Sequence, residues 1–189
     1  MDTLQIMIVG VGGQGTLLAS RILGKAFIAQ GLDVKVSEVH GMSQRGGSVV
    51  TYVKCGQRVD SPIVDRGNAD LILAFEQLEA ARFLPYLKPG GKMIVNTQQI
   101  DPMPVITGAA VYPKGILEQL QSAADVVAID ALSLAKQAGS AKAVNVVLMG
   151  AMVKRMGLDK EVFVKAVEST VPAKYRELNI NAFEMGYNA

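Results

Sequence analysis

Hydrophobic positions in this chain come in short unbroken runs that end on glycines, each followed by a longer stretch with helical spacing. Residues 4–9 form the first run, closing on Gly10, Gly12, Gly13 and Gly15, and predict a strand buried on both faces. Leu18, Ile22, Ala26 and Ala29 then share one side of a helix over residues 16–30, and Gly31 suits the left-handed residue that closes it. Residues 34–39 predict a second strand. Strand, glycine turn, helix and strand make a βαβ unit, which implies parallel strands joined by a right-handed crossover.

The pattern continues with strands predicted over residues 48–54 and 70–75 and a helix over 76–86. Lys88-Pro89-Gly90-Gly91 then reads as a turn into a strand over 92–96. Prolines and glycines erase any period between Gln98 and Pro113. A short strand follows over 126–129, and Asp130 caps the helix after it. Val144, Val147, Leu148, Ala151 and Met152 recur at helical spacing, but the opposite face is nearly as apolar, which predicts a buried helix ending at Gly157. Asp159 opens another helix carrying Phe163, Ala166 and Val167, which stops before Pro172. The tail from residue 174 has weak periodicity and is expected to dock on a neighbour, with Met185 and Tyr187 available to cover an interface. With no repeat or linker, residues 1–189 read as a single α/β domain: a three-layer (α/β/α) Rossmann-like fold with a largely parallel or mixed sheet.

Composition narrows the function. Half of the 189 residues are hydrophobic and 19% are charged, a core-rich balance for one domain. A net charge of +2, with no basic run interleaved with aromatics, argues against nucleic acid. One cysteine and one histidine, Cys55 and His40, cannot supply an iron–sulfur cluster, which takes about four thiolates, or a structural zinc site. No intrachain disulfide is possible, Cys55 reads as an inert thiol near a strand end, and the chain is expected to be cytoplasmic. The acidic start and early glycine do not read as a secretory signal. The longest apolar stretch, 144–153, is too short to span a bilayer.

Two segments can carry chemistry. Gly10-Val11-Gly12-Gly13-Gln14-Gly15 fits G-x-G-x-x-G; its glycines permit a tight turn and close ligand approach, and the helix start aims free N–H groups at an anion. The plainer reading is a packing turn with no ligand. The second segment, residues 38–49, EVHGMSQRGGSV, holds His40, Ser43, Gln44, Arg45, Gly46 and Gly47 beyond a strand end, where loops carry recognition. Arg45 offers a planar fork for carboxylate or phosphate, Ser43 and Gln44 add neutral donors, and the glycines allow close approach. The alternatives are an arginine that ties down its own loop and a histidine that is a hydrogen-bonded loop residue. Glu38 stands where a dinucleotide enzyme places its ribose-binding acid, yet no Tyr-x-x-x-Lys pair or catalytic domain follows. Neither G-x-S-x-G nor G-x-x-x-x-G-K-[ST] occurs. Asn145, inside an apolar helix, reads as a hydrogen bond within the core. Met42 and the Met149–Met152 pair read as adaptable packing residues.

GVGGQG, EVHGMSQRGGSV and the later KAVNVVLMG together resemble the gamma-type subunit of the 2-oxoacid:ferredoxin oxidoreductases, and within it the indolepyruvate ferredoxin oxidoreductase small (beta) subunits. The resemblance runs through nearly the whole chain. It implies a complex that converts indolepyruvate, or another aryl pyruvate, with CoA and oxidised ferredoxin to an aryl-acetyl-CoA, CO2 and reduced ferredoxin. Related gamma subunits serve pyruvate, 2-oxoglutarate and branched-chain 2-oxoacids, and a free-standing nucleotide- or CoA-binding module is the other alternative. The chain lacks the Gly-Asp-Gly that opens a thiamine diphosphate motif. Thiamine diphosphate, Mg2+ and [4Fe–4S] clusters are therefore expected on a large (alpha) partner subunit, with CoA as co-substrate and ferredoxin reached through the hetero-oligomer. No catalytic residue is assigned here; Gly10, Gly12, Gly13, Gln14, Gly15, His40, Ser43, Gln44, Arg45, Gly46 and Gly47 would dock the partner or line the active-site wall.

Overall fold

The computed structural model describes residues 3–38 and 46–189. The predicted site residues His40, Ser43, Gln44 and Arg45, with Met42 and the last residue of the predicted second strand, Val39, lie outside the described residues.

Strand β1 (Leu4–Val11) has Ile6, Met7, Ile8 and Val9 wholly buried. A strand apolar on both faces belongs in the middle of a covered sheet, and β1 sits there. Its neighbours are β3 (Ser48–Gly56), antiparallel, and β4 (Ala69–Ala74), parallel. The six-stranded sheet runs β2-β3-β1-β4-β5-β6, with β2 (Asp33–Glu38), β5 (Leu87–Asn96) and β6 (Asp125–Ile129) completing it. Only β3 is antiparallel to both of its neighbours. The fold is thus α/β with a mostly parallel, mixed sheet, as the sequence predicts. The first βαβ unit differs in one respect: β1 and β2 point the same way but are not neighbours, because β3 lies between them.

Helices cover both faces. Ile6, Ile8, Val53, Leu71 and Ile94 pack under α1 (Thr16–Ala29), α5 (Ala131–Gln137), α6 (Val144–Met156), α7 (Lys160–Thr170) and α8 (Arg176–Tyr187). Met7, Val9, Ile72 and Val95 face the other way, toward α2 (Gln77–Phe83) and α4 (Ile116–Ala123). The short α3 (Met103–Ile106) lies in the Pro- and Gly-rich stretch between them. Among the described residues, no helix is long and apolar enough to cross a membrane.

Local chemistry sets the element ends. Gly31 (φ 77°) and Gly157 (φ 65°) terminate α1 and α6 in the left-handed region. Asp130 accepts from Ser133 N–H at 3.0 Å and Asp159 from Glu161 N–H at 3.0 Å, capping α5 and α7. Ten consecutive residues of α6, Val144 through Val153, are buried, so the two-sided apolar pattern does mark an interior helix. Cys55 is wholly buried, and burial raises its thiol pKa to about 12, which keeps it unreactive.

Two predictions need correction. Lys88-Pro89-Gly90-Gly91 does not precede β5 but interrupts it: Leu87 pairs with Ala69, and the ladder resumes at Lys92 opposite Leu71. The tail does not wait for a neighbour. Its residues form α8, which packs on α6 of the same chain, with Met185 and Tyr187 against the core. The helices meet through glycines: a Cβ on Gly186 would lie 1.8 Å from Val147 O, and one on Gly150 would lie 2.0 Å from Phe183 O.

Candidate functional site

The glycine turn leaves the carboxyl end of β1 and enters α1. Gly13 (φ 99°) and Gly15 (φ 84°) both occupy the left-handed region, where a side chain is strained. The turn is held from three directions. Gln14 folds its amide back so that Oε1 accepts from Val11 N–H at 2.7 Å while Nε2 donates to Phe75 O at 2.9 Å. Phe75 O also accepts from Nδ2 of the buried Asn96 at 3.0 Å. Asn145 Nδ2 donates to Gly15 O at 3.1 Å, so Asn145 does serve as a hydrogen bond within the core. That bond fastens the start of α6 to the start of α1.

The second segment returns to this turn. Gly12 N–H donates to Gly47 O at 2.8 Å, and Ser48 pairs with Val11 at the end of the β1–β3 ladder. Gly10, Gly12, Gly13, Gln14 and Gly15 are therefore brought together with Gly46 and Gly47 at one edge of the sheet. That edge, where the strand order changes direction, is where open α/β sheets bind ligands.

Two hollows flank the junction. One, of about 300 Å3, is lined by Gly12, Gly13, Gly15, Thr16 and Thr51. Thr16 is 8% exposed and Thr51 2%. The amides of Gly13 and Gly15 take no backbone partner among the described residues. A helix start beside two largely buried threonines suits an anionic oxygen.

The other hollow, of about 180 Å3, lies between Gly46, Gly47 and Ser48 on one side and Glu79, Arg82 and Ile100 on the other. The Ser48 hydroxyl donates to Glu79, which is buried and lies 3.4 Å from Arg82 Nε. Burial raises the Glu79 pKa, and nearby Glu76 adds to the rise; the Ser48 hydrogen bond and Arg82 oppose it. Glu76, 1% exposed, accepts from Glu79 N–H at 2.9 Å, Ile100 N–H at 3.2 Å and the Tyr112 hydroxyl. Sequence reasoning missed both carboxylates, since a lone Glu in a helical pattern reads as solvated. Their signal was the position of Glu76, directly after the apolar run of β4, where a helix cap falls.

A raised carboxyl pKa means the folded chain holds a proton that the unfolded chain releases, so stability falls as pH rises through the window just above the ordinary glutamate value. Glu79→Gln keeps an acceptor for Ser48 and removes the titration. Urea melts from acid to neutral pH are expected to show a shallower decline for the variant than for the parent; equal slopes would remove Glu79 as the cause.

Glu38, the candidate ribose-binding acid, is not at the turn. The β3 strand sets β2 off from β1 by an extra strand width, about 5 Å, and Glu38 Oε1 instead accepts from Ser20 Oγ of α1 at 2.5 Å. Metal chemistry fares no better: the described residues contain no group of three His, Cys, Asp or Glu side chains that could hold an ion. One buried, protonated thiol does not make the ligand set of an iron–sulfur cluster.

Comparison with known proteins matches this arrangement to one family. The description pyruvate ferredoxin/flavodoxin oxidoreductase matches residues 5–189. The chain is similar to indolepyruvate oxidoreductase subunit IorB of Thermococcus kodakarensis, at 43% identity over 196 residues, covering 100% of this chain and 96% of that protein. It is also similar to ketoisovalerate oxidoreductase subunit VorA of Methanothermobacter marburgensis, at 30% identity over 181 residues, covering 94% of this chain but 34% of that longer protein. In structure it resembles the keto/oxoacid ferredoxin oxidoreductase gamma subunit from Geobacter sulfurreducens, with a TM-score of 0.73 and 29% identity over 98% of this chain and 96% of that one. A match that begins in β1 and runs through the glycine turn, the β2–β3 hairpin and α8 leaves no element unaccounted for, and the chain belongs to the pyruvate ferredoxin/flavodoxin oxidoreductase family.

Proposed function

We propose that residues 1–189 form one gamma-type domain, the small subunit of a cytoplasmic 2-oxoacid:ferredoxin oxidoreductase. Its complex converts indolepyruvate or another aryl pyruvate, CoA and oxidised ferredoxin to an aryl-acetyl-CoA, CO2 and reduced ferredoxin. The observation that carries this reading is the 43% identity to an indolepyruvate oxidoreductase subunit over the full length of this chain. Thiamine diphosphate, Mg2+ and the [4Fe–4S] clusters belong to a large partner subunit, because this chain offers one thiol and that thiol is buried.

The part left to this chain is positional. Gly10, Gly12, Gly13, Gln14 and Gly15, with His40, Ser43, Gln44, Arg45, Gly46 and Gly47, dock the partner and complete the wall around its substrate. The start of α1, beside Thr16 and Thr51, suits an anionic group of CoA or a carboxylate on the partner. Ketoisovalerate is a weaker candidate substrate, since the relative named for it is 30% identical.

The isolated chain is expected to be colourless and inactive, and co-expression with the large subunit should give an assembled, coloured enzyme that reduces ferredoxin with indolepyruvate and CoA. Activity of the isolated chain would overturn the reading. Arg45→Ala is expected to weaken assembly or raise the KM for the 2-oxoacid or CoA about tenfold or more, since charge-assisted contacts contribute about 1.5–3 kcal/mol. The variant's thermal midpoint should stay within a few degrees of the parent; unfolding instead would make Arg45 structural.

A further inference from the structure

Residues 93–113 contain one charged side chain, Asp101, although the part beyond β5 runs over the surface. Met103 and Ile106 stand one turn apart on α3, 66% and 65% exposed. Val111 is 84% exposed, and Ala110 N–H donates to Pro104 O at 2.9 Å, folding the chain back so that Val111 comes beside the same turn. The Thr107 hydroxyl donates to Met103 O at 3.0 Å, turning back onto α3, and the large exposed side chains beside it, Met103, Ile106 and Val111, are apolar. A concentrated exposed apolar patch marks an interaction surface.

This strap is pinned in place. Glu76 accepts from Ile100 N–H and from the Tyr112 hydroxyl at the strap's far end. Gln77 N–H donates to Gln98 O at 3.3 Å. A buried carboxylate thus holds a loop whose outer residues touch water, and the surface is presented already ordered, which lowers the entropy cost of binding. Its inner rim, Ile100 to Met103, is also the far wall of the hollow beside Gly46 and Gly47. The apolar face is continuous with the candidate site.

We propose that Met103, Ile106 and Val111 form a docking surface for an uncharged, aliphatic patch on the large subunit. The inference rests on the subunit reading above. Two observations favour that occupant: the surface adjoins the junction of the two site segments, and in the ketoisovalerate relative the matching stretch is 34% of one longer polypeptide, so there the domain is joined to the remainder of that chain. The near absence of charge selects an apolar partner face, because a buried unpaired charge opposite it would be costly.

The test is a titration of the large subunit with wild-type chain and with the Met103→Asp/Ile106→Asp double variant, followed by calorimetry or size-exclusion. Both residues are exposed, so the isolated variant should keep the parent's thermal midpoint. Binding is expected to weaken at least a hundredfold. If wild type binds and the double variant binds as tightly, this surface is wrong and the subunit reading stands. If wild type itself does not bind, both fall together. If sedimentation shows a wild-type homodimer that the double variant abolishes while binding of the large subunit is unchanged, the occupant is a second copy and the proposal is overturned.

Discussion

Replacing Gly186 with alanine is expected to destabilise the chain by more than about 3 kcal/mol, at or beyond the usual cost of overpacking, and to leave little folded protein at 37 °C. The added methyl would overlap a backbone oxygen, Val147 O at 1.8 Å, with Val147 C at 2.6 Å. Neither atom can turn aside as a flexible side chain could. Relief requires α8 to withdraw from α6, exposing Ala182 and Phe183, both wholly buried. The same contact seen from α6 makes Gly150→Ala nearly as damaging. Because both variants force the same separation, their double variant should cost much less than the sum. Urea denaturation of the four proteins measures this; a Gly186→Ala loss below 1 kcal/mol would mean the helices are not in contact as described.

The second large effect concerns the turn. Gly15→Ala is expected to cost about 2–5 kcal/mol, made of about 1–2 kcal/mol for a left-handed alanine and about 1–3 kcal/mol for the disturbed Asn145 bond. A Cβ at Gly15 would sit 2.5 Å from Asn145 Nδ2. Gly13 is the internal control: its φ is also positive, but nothing lies within 4 Å of its Cβ position. Gly13→Ala should therefore carry the conformational cost alone. Asn145→Ala removes the obstacle, so the Gly15→Ala/Asn145→Ala pair should lose less than the two single losses combined. Equal costs at Gly13 and Gly15 would show that the Asn145 bond contributes nothing to the turn.

Much of this architecture can be read along the chain. The first strand, the glycine turn, α1, β4, α6 and α7 follow from apolar runs, caps and glycines, because those signals act within a few residues. Sheet order is different. Ser48–Gly56 is recognisable as a strand, but its insertion between β1 and β2 depends on pairing with distant β1, from Val11 opposite Ser48 to Leu4 opposite Cys55, which no local period encodes. The helix α4 lies in a mostly exposed stretch, with only Ile116 and Leu120 buried, too few to set a pattern. The tail hid its helix because much of its burial comes through small contacts, with Ala182 and Gly186 at the interface beside Phe183, rather than through a broad apolar stripe. In the candidate site, both glycine segments were visible in the sequence and the Gly12–Gly47 bond joins them. The carboxylates Glu76 and Glu79 were not, since their burial is imposed by Tyr112 and Ser48, residues from distant segments.

The antiparallel return of β3 separates what must stay constant from what can vary. A βαβ crossover into a strand beside β1 would make the residues after β2 part of a helix that covers the core, and any change there would be felt in packing. A hairpin instead lets the chain leave β2 at Glu38 and come back at Gly46 with both rails already zipped. Lengthening such a connection is inexpensive, about 0.6 kcal/mol for each doubling. The residues that join the two strands can therefore change in number or kind while the sheet beneath remains unaltered.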